Sequence, residues 1–94
     1  MWYRVMLKGE NFRTKTDGKT EILGFYTTRY VEAGSEDEAE HKAVDLIRKD
    51  ESLKKIVLNA KDDPPLIYLE EIDVVLSDHS NEPVMGYVFY PDKN

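Results

Sequence analysis

Apolar and polar residues alternate along the first third of the chain. In residues 2–8 every second side chain, counted from position 3, is apolar, which is the pattern of a half-buried strand. Residues 22–33 are rich in aromatic and β-branched types and predict a second strand. Asp17 and Gly18, between the two, favour the positive backbone dihedrals of a tight turn. We therefore expect a long two-stranded hairpin with a polar, basic tip.

The register of this hairpin has two alternatives. A regular two-residue turn pairs Val5 with Tyr30. A single bulge shifts the pairing by one residue and places the apolar set of the first strand on the face of Phe25 and Val31. The alternation alone does not choose between them.

A helix start follows the second strand. Ser35 lies three residues before Glu38, the spacing of a capping box in which the serine hydroxyl accepts from the Glu38 amide and the glutamate reaches back to the Ser35 amide. This predicts a helix over residues 36–49, which either continues to Lys55 or is interrupted at residues 50–52, where a short second turn containing Leu53 begins. Five apolar residues form its buried stripe: Ala39, Ala43, Leu46, Ile47 and Leu53.

Two further strands are predicted at residues 66–76 and 84–90, separated by a polar turn. A helix that returns to the same sheet makes the third strand parallel to the second, with the first strand between them. The expected fold class is α+β, a ββαββ domain over residues 1–94. Its four-stranded, mainly antiparallel sheet has the order 2-1-3-4, and one helix packs on one face.

Composition limits the functional classes. The chain has 94 residues, no cysteine and a net charge of −6. Disulfides and thiolate metal sites are therefore excluded, and we expect a cytoplasmic protein. Because no apolar run approaches the roughly 18 residues of a membrane span, we expect no membrane association. The chain also begins with a strand pattern rather than with a signal peptide.

The acidic charge is unevenly distributed. Residues 1–30 carry six basic and three acidic side chains, whereas residues 31–94 carry seven and sixteen. Phosphate repulsion opposes encounter with an acidic protein, so no nucleic-acid partner is expected. The carboxylates around Glu38 are explained by the helix N-terminus that they stabilise.

Three carboxylates on the third strand form the candidate polar cluster, namely Glu70, Glu71 and Asp73. Together with His79 they have the chemistry of a small metal-binding enzyme. The structural interpretation is favoured, because carboxylates on a central strand pair with cations on the neighbouring strand. The hairpin offers three such cations: Arg4, Lys8 and Arg29.

Aromatic residues are spread over all four predicted strands, so they cannot all lie beneath one helix. Those on the other face of the sheet are typical of an interface. The residues expected to form it are Trp2, Arg4, Met6, Tyr26, Tyr30 and Tyr68.

The leading functional hypothesis is therefore a non-enzymatic protein-binding module without a cofactor, which forms a homodimer or binds a protein partner through this aromatic face. The first alternative is an acidic antitoxin or immunity-type inhibitor of a basic toxin or nuclease, because an acidic surface steers association with a basic enzyme. The second is the carboxylate-based metal-binding enzyme.

The segment from Gly24 to Leu46, a strand followed by a helix capped by Ser35, resembles the strand–helix junction of many small bacterial α+β modules. These include antitoxin-like and other regulatory domains. The antitoxin pattern has a different lead-in, with an Asp-Gly and a proline-containing strand end, and the segment from Gly24 to Leu46 does not match it. No residue role is therefore carried over.

Overall fold

A computed structural model describes residues 1–76 and 86–92 of the chain. Within these residues the elements are, in chain order, β1 (Trp2–Thr16), β2 (Lys19–Glu32), α1 (Glu36–Arg48), α2 (Glu51–Lys54), β3 (Leu66–Val75) and β4 (Tyr87–Pro91). His79 and the predicted polar turn around it lie outside the described residues. None of the helices in the described ranges is long and apolar enough to cross a lipid bilayer.

The four strands form one antiparallel sheet in the order β3-β1-β2-β4, with α1 across one face. The predicted α+β class and the central position of β1 between β2 and β3 are confirmed. The place of β4 differs from the expected order 2-1-3-4, because β4 pairs with β2 instead of β3. Side-chain packing accounts for this: the rings of Tyr87 and Phe89 contact Phe25 of β2, at centroid distances of 5.0 and 6.0 Å.

The β1–β2 hairpin contains a bulge. Its tip is the predicted two-residue turn, in which Asp17 and Gly18 have φ angles of 51° and 79°. The register shifts between Gly9 and Phe12, so that Val5 pairs with Arg29 and the bulged alternative is the one observed. The apolar set of β1 consequently shares a face with Phe25.

A second bulge lies in β3. The pairing with β1 is continuous from Val75 to Glu71, skips Glu70 and resumes at Leu69 opposite Leu7. This extra residue reverses the alternation along β3. Ile72 therefore joins Leu69 on the face of α1, whereas the predicted alternation separates them.

The capping box at the start of α1 is formed with one difference. The Ser35 hydroxyl accepts from the Glu38 amide at 3.2 Å, as predicted. The Glu38 carboxylate accepts from the amide of Gly34 at 3.4 Å, and not from that of Ser35. Lys42 contacts the same carboxylate at 3.2 Å. The Lys42 hydrogen bond and the Gly34 amide lower the pKa of Glu38, which favours the charged form at the helix N-terminus.

The helix is interrupted after Arg48, and Asp50 caps the short second turn by accepting from the Ser52 amide at 3.0 Å. The core lies between α1 and the inner face of the sheet. Leu46, predicted in the buried stripe, is 48% exposed instead, because the stripe runs through its neighbour Ile47. The buried apolar residues are Tyr3, Val5, Leu7, Phe12, Phe25, Val31, Ala33, Ala39, Ala43, Ile47 and Leu53.

Tyr87 connects β4 to the start of α2. Its hydroxyl donates to Asp50 Oδ2 at 2.6 Å, and the Arg29 guanidinium lies 5.2 Å from its ring centroid. Burial first, and the hydrogen bond to Asp50 second, raise the pKa of Tyr87 well above its usual range. The same hydrogen bond lowers the pKa of Asp50. Folding therefore favours the neutral phenol and the charged carboxylate.

Replacing Tyr87 with phenylalanine is expected to lower the free energy of unfolding at pH 7 by about 1–2 kcal/mol, because the Asp50 acceptor loses its donor. Because the pKa of Tyr87 is raised in the folded state, its neutral phenol contributes its full stabilisation below the unfolded-state pKa of about 10. This contribution is lost as the pH rises above that value. Urea unfolding between pH 7 and 11 should therefore show a shallower alkaline loss for Tyr87→Phe than for the wild type. Asp50→Asn keeps an acceptor and should stay closer to the wild type. Identical pH profiles for Tyr87→Phe and the wild type would contradict the assignment.

Candidate functional site

The face of the sheet opposite α1 is the candidate functional surface, and we call it the open face. Side chains of a strand alternate between the two faces, and directly paired residues share a face. The two registers and their bulges therefore define the open face by residue: Trp2, Arg4, Met6, Lys8, Glu10, Tyr26, Thr28, Tyr30, Glu32, Leu66, Tyr68, Glu71, Asp73, Val75, Val88 and Tyr90.

All six residues of the predicted interface lie on the open face. Tyr26 and Tyr68 are its exposed aromatic residues, at 37% and 45%, and Val88 is 70% exposed. The remaining four predicted residues are partly buried: Trp2, Arg4, Met6 and Tyr30. The six predicted interface residues occupy every second position of β1 from Trp2 to Met6 and continue onto the neighbouring strands β2 and β3. They therefore form one continuous surface.

An ion-pair cluster lies at the β1–β3 side of the open face. Arg4 Nη2 contacts Glu71 Oε2 at 3.3 Å and also donates to Asp73 Oδ2. The hydrogen bond to Asp73 first, and that to Glu71 second, raise the pKa of Arg4. Of the three cations expected as partners for these carboxylates, Arg4 is therefore the one that pairs with Glu71 and Asp73. The cluster carries one net negative charge.

The bulge in β3 separates the third predicted carboxylate from this cluster. Glu71 and Asp73 face Met6 and Arg4 across the sheet, whereas Glu70 is the residue that the register skips. Within residues 1–76 and 86–92, no three His, Cys, Asp or Glu side chains are close enough together to hold a metal ion. The carboxylates that the structure does bring together are bridged by a guanidinium.

The other two expected cations have different positions. Lys8 lies on the open face, contacts Glu10 Oε2 at 3.4 Å and has its Nζ within 6 Å of the Tyr26 and Tyr90 ring centroids. Arg29 lies on the opposite face, is 6% exposed, and donates to the hydroxyl of Thr27 and the carbonyl of Thr28. The bulge explains this, because it places Arg29 opposite Val5.

Tyr90 is an open-face residue that is not among the six predicted interface residues. Its hydroxyl donates to the Gly9 carbonyl at 3.2 Å, and its ring lies over Gly24 of β2. A Cβ atom on Gly24 would lie 2.1 Å from Tyr90 Cζ, so only glycine leaves room for this ring. A glycine within an aromatic strand is a signal that another residue approaches closely there.

The open face is a preorganised surface of aromatic, aliphatic and ion-paired side chains on paired strands. It offers broad contact area and hydrogen-bonding hydroxyls, and Arg4 and Lys8 form ion pairs with Glu71, Asp73 and Glu10 on it. Comparisons of this chain with protein-family models, with curated proteins and with solved structures find no match. Its function therefore has to be argued from the geometry of this surface.

Proposed function

We propose that this chain is a non-enzymatic, cytoplasmic protein-binding module that forms a homodimer through the open face of its sheet. The observation that carries the proposal is the residue composition of this face. Tyrosine, tryptophan, methionine and arginine are the types enriched in protein interfaces. The open face presents all four types beside one another, for example at Trp2, Arg4, Met6 and Tyr26.

The exposure of this face supports association. Leu66, Tyr68 and Val88 are 43%, 45% and 70% exposed, although each is large and apolar. Burying such side chains contributes about 25 cal/mol for each Å² of apolar surface removed from water. Because the side chains stand on paired strands, little backbone entropy is lost when they are covered.

A second copy is the partner that we propose. A two-fold interface places the same surface on both subunits and needs both charge signs within it. The open face meets this requirement, because the Lys8–Glu10 ion pair lies at one part of it and the negative Arg4, Glu71 and Asp73 cluster lies at another. Matching the two in opposite copies would fix the register of the dimer.

The test is the oligomeric state, measured by sedimentation equilibrium at protein concentrations of about 1–100 μM, the range suited to a micromolar dissociation constant. The wild type should be dimeric within this range. Val88→Glu and Tyr68→Glu each place a charge in the interface and should weaken the dimer at least ten-fold, or by about 1.4 kcal/mol.

Leu58→Glu is the matched control, because Leu58 is 48% exposed and lies in the segment after α2, outside the open face. It should leave the dimer unchanged. A wild type that remains monomeric throughout would exclude the homodimer. Dissociation by Leu58→Glu as strong as that by Val88→Glu would show that association does not depend on the open face.

A further inference from the structure

A cavity of about 200 Å³ lies on the helical side of the molecule, between the end of α1, the short α2 and the start of β3. Phe12, Ile47, Leu53 and Ile67 form apolar walls. The first three of these side chains are 3%, 1% and 5% exposed. The cavity therefore continues the hydrophobic core outward and is separate from the open face.

The outer wall of the cavity is fixed by backbone pairing. Val57, which lines the cavity, forms a β-bridge with Thr14 of β1. On either side of it, the Lys15 amide donates to the Ile56 carbonyl at 2.9 Å, and the Leu58 amide donates to the Arg13 carbonyl at 2.7 Å. Because these bonds hold the wall against β1, the cavity cannot close simply by movement of this segment.

Two cations complete the lining, and both are exposed. Arg48 is the last residue of α1, and Lys54 is the last residue of α2. The Arg48 side chain makes no ion pair with any residue in the described ranges. Lys54 Nζ is 3.8 Å from Glu51 Oε1, and both side chains are more than half exposed. An exposed ion pair of this kind is weak, so Lys54 is available to a ligand.

We infer that this cavity binds a small organic carboxylate, with its apolar body against Phe12, Ile47 and Ile67 and its carboxylate between Arg48 and Lys54. Charge complementarity selects an anion, and the apolar walls select a hydrocarbon body. Arg48 offers the planar pair of donors that suits a carboxylate, and Lys54 adds a mobile point charge.

The cavity volume limits the size of the ligand. An engineered apolar cavity of about 150 Å³ holds benzene, so this one accommodates roughly six to eight carbon atoms. Drug-sized ligands need about 300 Å³ or more, which excludes larger amphiphiles from full insertion. The class is therefore a single-ring or short-chain carboxylate.

The experiment is a methyl-detected NMR titration of the full chain with three probes. Hexanoate has both the apolar body and the charge, acetate has only the charge, and 1-hexanol has only the body. Hexanoate should shift the methyl signals of Ile47, Leu53, Val57 and Ile67. It should bind at least ten-fold more tightly than acetate, because each buried methylene strengthens binding about four-fold. It should also bind several-fold more tightly than 1-hexanol.

Variants separate the two parts of the site. Val57→Phe fills the cavity and should abolish the hexanoate shifts while the thermal midpoint stays the same or rises. Arg48→Gln combined with Lys54→Gln should weaken hexanoate about five-fold and leave 1-hexanol unchanged, because only charge-assisted contacts are lost. Lys19→Gln combined with Lys61→Gln removes the same charge elsewhere on the surface and should have no effect.

Hexanoate shifts that persist in Val57→Phe, or that lie outside the cavity, would overturn the inference. Equal binding of hexanoate and 1-hexanol would overturn the selection of an anion. Cavity shifts that depend on protein concentration without any probe would show that a second copy occupies the cavity. Each of these results is independent of the open-face dimer, which is tested by Val88→Glu.

Discussion

Replacing Phe25 with alanine is expected to lower the free energy of unfolding by about 3–5 kcal/mol, the range for a large aromatic removed from a core. Phe25 has no exposed surface and joins three elements. Its ring contacts Phe12 of β1 at a centroid distance of 4.8 Å and Tyr87 of β4 at 5.0 Å. Gly9 lies beneath it, and a Cβ atom there would come within 2.3 Å of the ring. The space around Phe25 is thus shaped by the backbone and cannot collapse around a smaller side chain.

Urea denaturation provides the measurement, and Phe89→Ala is the matched control. Phe89 contacts Phe25 at a centroid distance of 6.0 Å but is 40% exposed. The control should lose about half as much stability or less, because less apolar surface returns to water. Equal losses for the two variants would mean that the edge strand β4, and not the centre of the sheet, carries the aromatic core.

Local signals predicted the elements of this fold well. Alternation of apolar and polar residues predicts the hairpin strands, and Asp17 and Gly18 predict the turn. The three-residue spacing between Ser35 and Glu38 predicts the start of α1. Each of these depends on neighbours within a few residues, so a single sequence contains the necessary information.

The face of the sheet on which each side chain lies was harder to predict. It depends on whether the number of residues between that position and the turn is odd or even, and one bulge changes this number. One extra residue near Asn11 transfers Arg29 to the inner face, and the skipped Glu70 separates the three carboxylates of β3. A bulge leaves little trace in the sequence pattern, yet it moves every later side chain of the strand to the opposite face of the sheet. The partner of Glu71 and Asp73 could therefore be limited to three cations, but only the register identifies Arg4.

The position of β4 follows from long-range packing that alternation does not encode. Sequence proximity favours a β3–β4 hairpin. The observed pairing instead places Tyr90 over Gly24 and both Tyr87 and Phe89 against Phe25. Gly24 was the available signal, since an open position in an aromatic strand favours a large cross-strand neighbour.

Asn11 is the residue that holds the bulge in the hairpin. Its φ of 59° lies in the left-handed region, which asparagine tolerates better than most residues. Its backbone amide donates to Asp92 Oδ2 at 2.8 Å, and its backbone carbonyl accepts from Asn59 Nδ2 at the same distance. Its side-chain Nδ2 donates to Asp63 Oδ1, also at 2.8 Å. The extra residue therefore has partners for the backbone groups that the strand pairing leaves out.

Deleting Asn11 should cost more than about 4 kcal/mol, most of the stability of a domain this small. Without the extra residue, either Val5 and its strand or Phe12 and the hairpin tip must turn from the core to the other face. Asn11→Gly is the control: it keeps the bulge and the positive φ, loses only side-chain hydrogen bonds, and should cost about 1 kcal/mol. Both are measured by urea unfolding, with near-ultraviolet circular dichroism reporting the packing of the aromatic residues. If the deletion variant unfolds at the same urea concentration as the wild type, the bulge does not determine which side chains lie in the core.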